Sequence, residues 1–122
     1  MVKSVIQKLN WNAIPTEQVN PMMVRQMVYG KEIMIVKMSF KDGFEVPWHQ
    51  HPNEQISQIF KGICRFWLAN QSESIDLKAG EILVIPANVA HKALMIGAVE
   101  AVDTFSPPRQ DWLDGTDNYL KR

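Results

Sequence analysis

Cysteine is nearly absent: Cys64 is the only one in 122 residues, so no internal disulfide can brace the chain. That usage fits a reducing, cytoplasmic setting. Cys64 sits in Ile63-Cys-Arg-Phe-Trp67, a strand-like run, and reads as a small buried packing residue. No apolar run approaches the roughly 20 residues needed to cross a bilayer. The first residues, Met1-Val-Lys-Ser-Val-Ile-Gln-Lys8, lack the apolar stretch and small-residue cleavage site of a secretory signal. Charge of one sign is missing as well. Thirteen Lys and Arg balance thirteen Asp and Glu, which leaves no electrostatic footprint for nucleic acid or an anionic membrane. Small molecules or further copies of the chain are the expected partners. Repeats, linkers and low-complexity segments are also lacking.

What is present is a core. Hydrophobic residues make up 46% of the chain, and its length suits a single domain over 1–122. Short β-rich runs alternate with turn signals. Met22 to Val28 is one, and Glu32 to Phe40 is another, with Met34, Val36, Met38 and Phe40 on one face. Glu54 to Phe60 and Ile63 to Ala69 read as two strands joined by a hairpin at Lys61-Gly62. Ser74 to Leu77, Ile82 to Ile85, His91 to Ile96 and Ala98 to Phe105 follow, with Gly97 dividing the last two. No window before Pro107 carries an apolar stripe at helical period, while Arg109 to Arg122 could form a turn or two of helix. Many short strands at even spacing predict an all-β sandwich or closed barrel, and closure would remove exposed edges. The segment Val2 to Trp11 reads as a strand able to join a neighbour's sheet, so a homodimer is expected.

The chain holds three histidines: His49, His51 and His91. His49 and His51 are two apart and share a face of an extended strand; Gln55 has the same parity, although Pro52 could bulge the strand. Two imidazoles converging from one strand make a start for a metal site, while a bare pair is as readily two solvated or hydrogen-bonded side chains.

The surrounding spacing decides between these. Gly43, His49, His51, Gln55 and Gly62 fall in a pattern that resembles the first cupin motif, over about 43–62. Gly80, Pro86 and His91 resemble the second, over about 80–95. The resemblance implies a single cupin domain, a double-stranded β-helix or jelly-roll barrel. It also implies one divalent ion (zinc, nickel, manganese or iron) on His49, His51, Gln55 and His91. The sequence departs from the pattern in three places. Gln55 stands where glutamate is usual, and Glu54 beside it should face the other way. Asn88 replaces a glycine, and can adopt the same left-handed turn. Met95 replaces an asparagine and should pack.

Gln55 has chemical consequences. Three neutral imidazoles and a neutral amide leave the double charge of the ion uncompensated. Such a site attracts a carboxylate or enolate and favours Lewis-acid chemistry over oxygen activation.

Farther on, Val99, Ala101, Asp103 and Phe105 share a face of one strand, and Pro107-Pro108 turns the chain to present Arg109. An acid, an aromatic ring and a guanidinium could form a site for a small anion. Equally, Asp103 could accept backbone hydrogen bonds, Phe105 could be core and Arg109 a surface charge. The run Asp103-Thr-Phe-Ser-Pro-Pro-Arg-Gln-Asp-Trp-Leu113, with His49-Gln-His-Pro-Asn-Glu-Gln55, resembles the small cupins of pectin and alginate breakdown. Those convert 4,5-unsaturated monouronates to linear keto forms, an isomerase-like reaction. This resemblance implies a small anionic sugar as substrate and Asp103, Phe105 and Arg109 as catalytic residues. The rival readings are a cupin dioxygenase of the quercetinase type and a non-catalytic cupin that anchors a sugar or acid on its metal.

Overall fold

The computed structural model describes residues 5–121. It contains eight strands in chain order: β1 Glu17–Asn20, β2 Met23–Tyr29, β3 Met34–Phe40, β4 Glu45–His49, β5 Glu54–Leu68, β6 Ile75–Lys78, β7 Ile82–Ile85 and β8 His91–Ser106. One short helix, α1, spans Gln110–Asp114 and ends on Gly115 in the left-handed region. None of the helices among the described residues is long and apolar enough to cross a membrane.

Every strand pairing is antiparallel, and β5 and β8 form the frame. The amino-terminal part of β5 pairs with the end of β8 and with β7, and β3, β2 and β1 extend this side from β8. The later part of β5 pairs with the start of β8 and with β6, while β4 pairs with β8. The two long strands therefore bend and serve both walls of a jelly roll. The register shifts at the bend, between Ile59 and Ile63.

That bend corrects the expected hairpin. Lys61-Gly62 does not reverse the chain; it is a bulge inside one continuous strand, and Gly97 likewise lies within β8. A bulge and a two-residue hairpin draw on the same Gly-containing signal, and the bulge wins because it lets one strand turn the corner between walls. Gly62 has φ of +78°, and a Cβ there would lie 2.3 Å from the Ala98 carbonyl oxygen. Only glycine fits both conditions.

The core alternates as the sequence predicts on β3, where Met34, Val36, Met38 and Phe40 are buried. They meet Cys64, Phe66 and Leu68 of β5 and Ala93, Met95, Val99, Ala101 and Phe105 of β8 in one cluster. Burial of Cys64 and Met95 matches their reading as packing residues.

The amino-terminal strand does not form in the described part of Val2 to Trp11. Residues 5–10 are irregular, Val5, Ile6 and Leu9 are exposed, and Trp11–Ala13 is a 3-10 turn. Asn10 caps that turn by accepting from the Asn12 amide at 2.9 Å. Gln26 then donates to the carbonyls of Trp11 and Ile14, which fixes the turn against β2. The local cap fixes Trp11–Ala13 out of strand geometry. Residues 2–4 of that segment lie outside the described residues.

After β8 the tail returns across the barrel. Trp112 and Leu120 are buried. Arg25, itself buried, pairs with Asp117 at 2.7 Å and Glu17 at 2.9 Å. Asn20 donates to the Leu120 carbonyl at 2.8 Å. These contacts seat the carboxy-terminal turn on β1 and β2 at the cavity.

Candidate metal centre

Strand pairing brings the histidines together. His49 ends β4 and His91 begins β8, and the two are direct cross-strand partners. His51 follows in the loop after β4, whose geometry is closed by the Asn88 amide donating to the His51 carbonyl at 2.8 Å. Asn88 has φ of +64°, the left-handed conformation expected of it. One nitrogen from each ring lies within 4.8 Å of the others.

Hydrogen bonds set which nitrogen each ring offers. His49 Nδ1 lies 2.8 Å from the Pro47 carbonyl, His51 Nδ1 3.0 Å from that of Asn53, and His91 Nδ1 2.8 Å from that of Val89. A carbonyl only accepts, so each Nδ1 carries the proton and each Nε2 keeps a bare lone pair. His91 Nε2 is buried with no hydrogen-bond partner among the described residues. Burial, with His91 next, pushes His49 down to about 3. Burial, with Arg109 and His91 next, pushes His51 down to about 4. His91 is lowered too, chiefly by burial. All three rings are therefore neutral near pH 7, the state that binds metal.

Gln55 lies beside this histidine cluster. It is buried at the start of β5, while its neighbour Glu54 is exposed. Its amide nitrogen donates to Ser57 Oγ at 2.9 Å and to Asp103 Oδ2 at 3.2 Å. Its Oε1 therefore faces His51 Nε2, 3.0 Å away. Two acceptors confront one another there. Giving His51 the other tautomer only moves the conflict to the Asn53 carbonyl, and burial beside Arg109 and His91 works against a doubly protonated ring. An orphaned His91 lone pair and this opposed pair are both relieved by a cation among the Nε2 atoms and Oε1. The donor set of three imidazoles and one amide oxygen fits a borderline divalent ion.

The anion-binding candidates share the same cavity. His49, Gln55, His91, Asp103, Phe105 and Arg109 all line it, and it holds about 50 Å³ of free space. Asp103, on β8, is the register partner of Ser57 on β5. Burial pushes Asp103 up to about 6, and the Ser57 hydroxyl and Arg109 work against that shift. Phe105 is fully buried, edge-on to His51 at 5.7 Å and to Trp112 at 5.2 Å.

Arg109 is not the surface charge that one reading of the sequence allowed: it is 1% exposed. Its Nε and Nη2 bind Asp111, and Nη2 also reaches the Tyr119 hydroxyl at 2.7 Å. The guanidinium stacks on Phe105 at 5.1 Å and Trp112 at 4.6 Å. Asn53 supports it from below by donating to the Pro107 carbonyl at 2.6 Å, tying the histidine loop to the Pro107-Pro108 turn.

Sequence reasoning missed Ser57, Asn53, Arg25 and Tyr119. Ser57 could have been found, since it shares the parity of Gln55 on one strand. The others depend on where the tail lands, which no local pattern encodes.

An antiparallel jelly roll with three imidazoles gathered inside it fits the cupin class of metal-site barrel, with Gln55 beside them in place of the usual glutamate. The chain belongs to that family: the cupin domain signature matches residues 36–105. Among solved structures it is similar to an RmlC-like cupin from Shewanella frigidimarina. That structure is 28% identical with a TM-score of 0.80, over 88% of this chain and 96% of that one. It is also similar to KdgF from Halomonas sp., at 25% identity and a TM-score of 0.77, over 84% of this chain and 96% of that one. Oxalate decarboxylase from Bacillus subtilis shares the fold at 13% identity and a TM-score of 0.74, over 87% of this chain and 31% of that one. No curated protein matches the chain in sequence.

Proposed function

We propose that this cupin converts 4,5-unsaturated monouronates, the sugars left by lyase cleavage of pectin or alginate, to their linear keto forms. The observation that carries this reading is one cavity lined by two of the histidines, Gln55, Asp103, Phe105 and Arg109. The likeness to KdgF and the resemblance of residues 49–55 and 103–113 to the small cupins of pectin and alginate breakdown point the same way.

His49, His51, His91 and Gln55 would hold one divalent ion, which when bound supplies Lewis-acid polarisation of a ligand oxygen. Arg109 provides a fixed positive charge for the sugar carboxylate, its orientation set by Phe105, Trp112 and Asp111. Asp103 is the proton-transfer group. It takes the proton from the anomeric hydroxyl as the bond from C1 to the ring oxygen breaks. A proton returned to C4 then turns the resulting enolate at C5 into the ketone. Atoms and electrons balance without an oxidant. Phe105 forms an apolar wall against the ring.

The test is loss of the ultraviolet absorbance of an unsaturated monouronate, followed with and without chelator in an oxygen-monitored cell. Chelator-sensitive loss without oxygen uptake supports the reading. Oxygen uptake in step with substrate loss replaces it with a dioxygenase, and tight binding with neither replaces it with a sensor.

A further inference from the structure

Tyr119 touches both halves of the site. Its ring stacks on His49, with centroids 4.7 Å apart and planes 20° from parallel. Its hydroxyl oxygen accepts from Arg109 Nη2 at 2.7 Å and from Trp112 Nε1 at 3.1 Å. The residue lines the same cavity as Asp103 and Gln55.

Donor arithmetic makes this arrangement informative. A phenol has one proton to give and two lone pairs to receive. Both lone pairs are engaged, by a guanidinium and an indole N–H that can only donate. The hydroxyl proton is thus pushed towards a third partner, and among the described residues no acceptor takes it. A hydroxyl that accepts from a cation is also polarised into a stronger donor. Arg109 tells the same story from the other side. Nε and Nη2 are spoken for by Asp111 and Tyr119, which leaves Nη1 without an acceptor among the described residues.

We propose that the Tyr119 hydroxyl and Arg109 Nη1 act as a paired donor site for the carboxylate of a ligand in the cavity, with Tyr119 contributing the selectivity for an anion. The proposal rests on the cavity receiving a uronate, as argued above, and adds a ligand-contacting residue from the carboxy-terminal turn. The turn is held for this purpose by Arg25 on Asp117 and by Asn20 on the Leu120 carbonyl. The ring of Tyr119 meanwhile covers one face of His49.

Tyr119→Phe isolates the hydroxyl, because the ring can remain stacked on His49. Binding of galacturonate and of neutral galactose to the metal-loaded full chain is measured by titration calorimetry. Metal content is followed by elemental analysis, and turnover on an unsaturated monouronate is measured alongside. The variant should lose at least ~10-fold in galacturonate affinity and in 1/KM, the size of a hydrogen bond to a charged group. Galactose binding and metal content should be unchanged and kcat altered less than ~3-fold. Combining it with Arg109→Lys should cost less than the product of the single effects, since the two groups act on one carboxylate. Unchanged galacturonate affinity and KM in Tyr119→Phe overturn the proposal while leaving the catalytic reading intact. Tyr119-dependent galacturonate binding in a protein that does not turn over the unsaturated sugar supports the donor pair and removes the enzyme reading. Absence of uronate binding in the parent protein overturns both.

Discussion

The Gln55 amide nitrogen donates to Asp103 Oδ2 at 3.2 Å, a diagonal contact between the paired strands β5 and β8 that ties the candidate metal-site amide to the acid on the neighbouring strand. A glutamine can do this and a glutamate cannot, because a carboxylate has no proton to give. Gln55→Glu should therefore have two effects of opposite sign. The added negative charge should strengthen retention of a divalent ion, read as a slower loss of metal to a competing chelator. Facing a second carboxylate, Asp103 would lose its fixed orientation, and turnover of the unsaturated uronate should fall at least ~10-fold. A variant that gains metal affinity and keeps full turnover would show that the Gln55 contact to Asp103 has no catalytic role.

The opposed lone pairs of His51 Nε2 and Gln55 Oε1, and the partnerless His91 Nε2, predict a strong stability response to metal. A ligand at a hundredfold excess over its Kd adds about 2.7 kcal/mol to the native state. For a domain of this size that is a melting-temperature rise on the order of 10 °C. Zinc, nickel and manganese added to chelator-treated protein should each be tested by thermal unfolding, and at least one should give that rise. His49→Ala and His91→Ala should abolish it. A flat response to every ion, or an undiminished response in both variants, would remove the histidines from metal binding.

The parts of the molecule that could be read from the sequence are those fixed by short-range pattern. Alternation located β3 and its buried face. The motif spacing identified His49, His51 and Gln55 as a set, although they do not share one strand face: His49 ends β4, His51 lies in the loop and Gln55 belongs to β5. Asn88 was legible because a single backbone conformation is required there, and few residue types adopt it. What escaped were features decided by distant chain segments. Lys61-Gly62 has the composition of a hairpin, and only the pairing of β5 with β8 along both walls makes it a bulge. The strand expected around His49 was given no bounds, because Pro47 and the histidine motif break the apolar alternation of β4, Glu45–His49. The burial of Arg109 follows from a sandwich of Phe105, Trp112 and Tyr119 that forms when the tail docks through Arg25 and Asp117. Nothing near Arg25 in the sequence hints at an acid 92 positions later.

That burial changes what mutation of Arg109 should do. A substrate-binding arginine on the surface could be truncated without harm, but here the guanidinium fills a slot between two aromatic rings. Arg109→Ala should lower stability by about 1–3 kcal/mol through lost packing and a stranded Asp111 and Tyr119, measured by urea unfolding. Asp103→Asn is the cleaner probe of chemistry. It keeps the shape, can retain the Ser57 contact, and removes the carboxylate proposed above to move the proton. Its metal content and melting temperature should stay close to the parent, with turnover reduced at least ~10²-fold. Full activity in Asp103→Asn would eliminate it from the reaction.

The bend that makes the barrel is testable separately from its chemistry. Gly62 and Gly43 both have positive φ, at +78° and +85°, but only Gly62 has a neighbour where a side chain would go. Alanine at position 43 should cost roughly 1–2 kcal/mol, the strain of a left-handed residue. At position 62 the same strain is joined by overpacking against Ala98 and Val99, for a total of about 2–5 kcal/mol. Equal shifts of the two variants in urea-unfolding midpoint would mean that the approach of β5 to β8 at this corner is slack.

Cys64 offers a prediction for the alkaline limb of stability. The thiol is buried in the core, and burial, with Asp103 and Asp76 next, pushes its pKa well above the ordinary range. An unfolded cysteine gives up its proton near pH 8.5. Above that pH the native chain keeps a proton that the unfolded chain has lost, so the native state binds more protons and stability falls as pH rises. Below pH 8 both states hold the proton and the group contributes no slope. The expected loss from this one residue is about 2 kcal/mol between pH 8.5 and pH 10, at roughly 1.4 kcal/mol per unit. Lysines and tyrosines titrate in the same range, so the measurement is a difference: urea-unfolding free energies of the parent and of Cys64→Ala across pH 7 to 10. Alanine should be the less stable at pH 7, from the cavity it leaves, and the gap should narrow steadily above pH 8.5. In parallel, a thiol reagent at pH 8 should label the parent only when urea unfolds it. A gap that stays constant to pH 10, or rapid labelling of the folded chain, would place Cys64 at a surface rather than in the core.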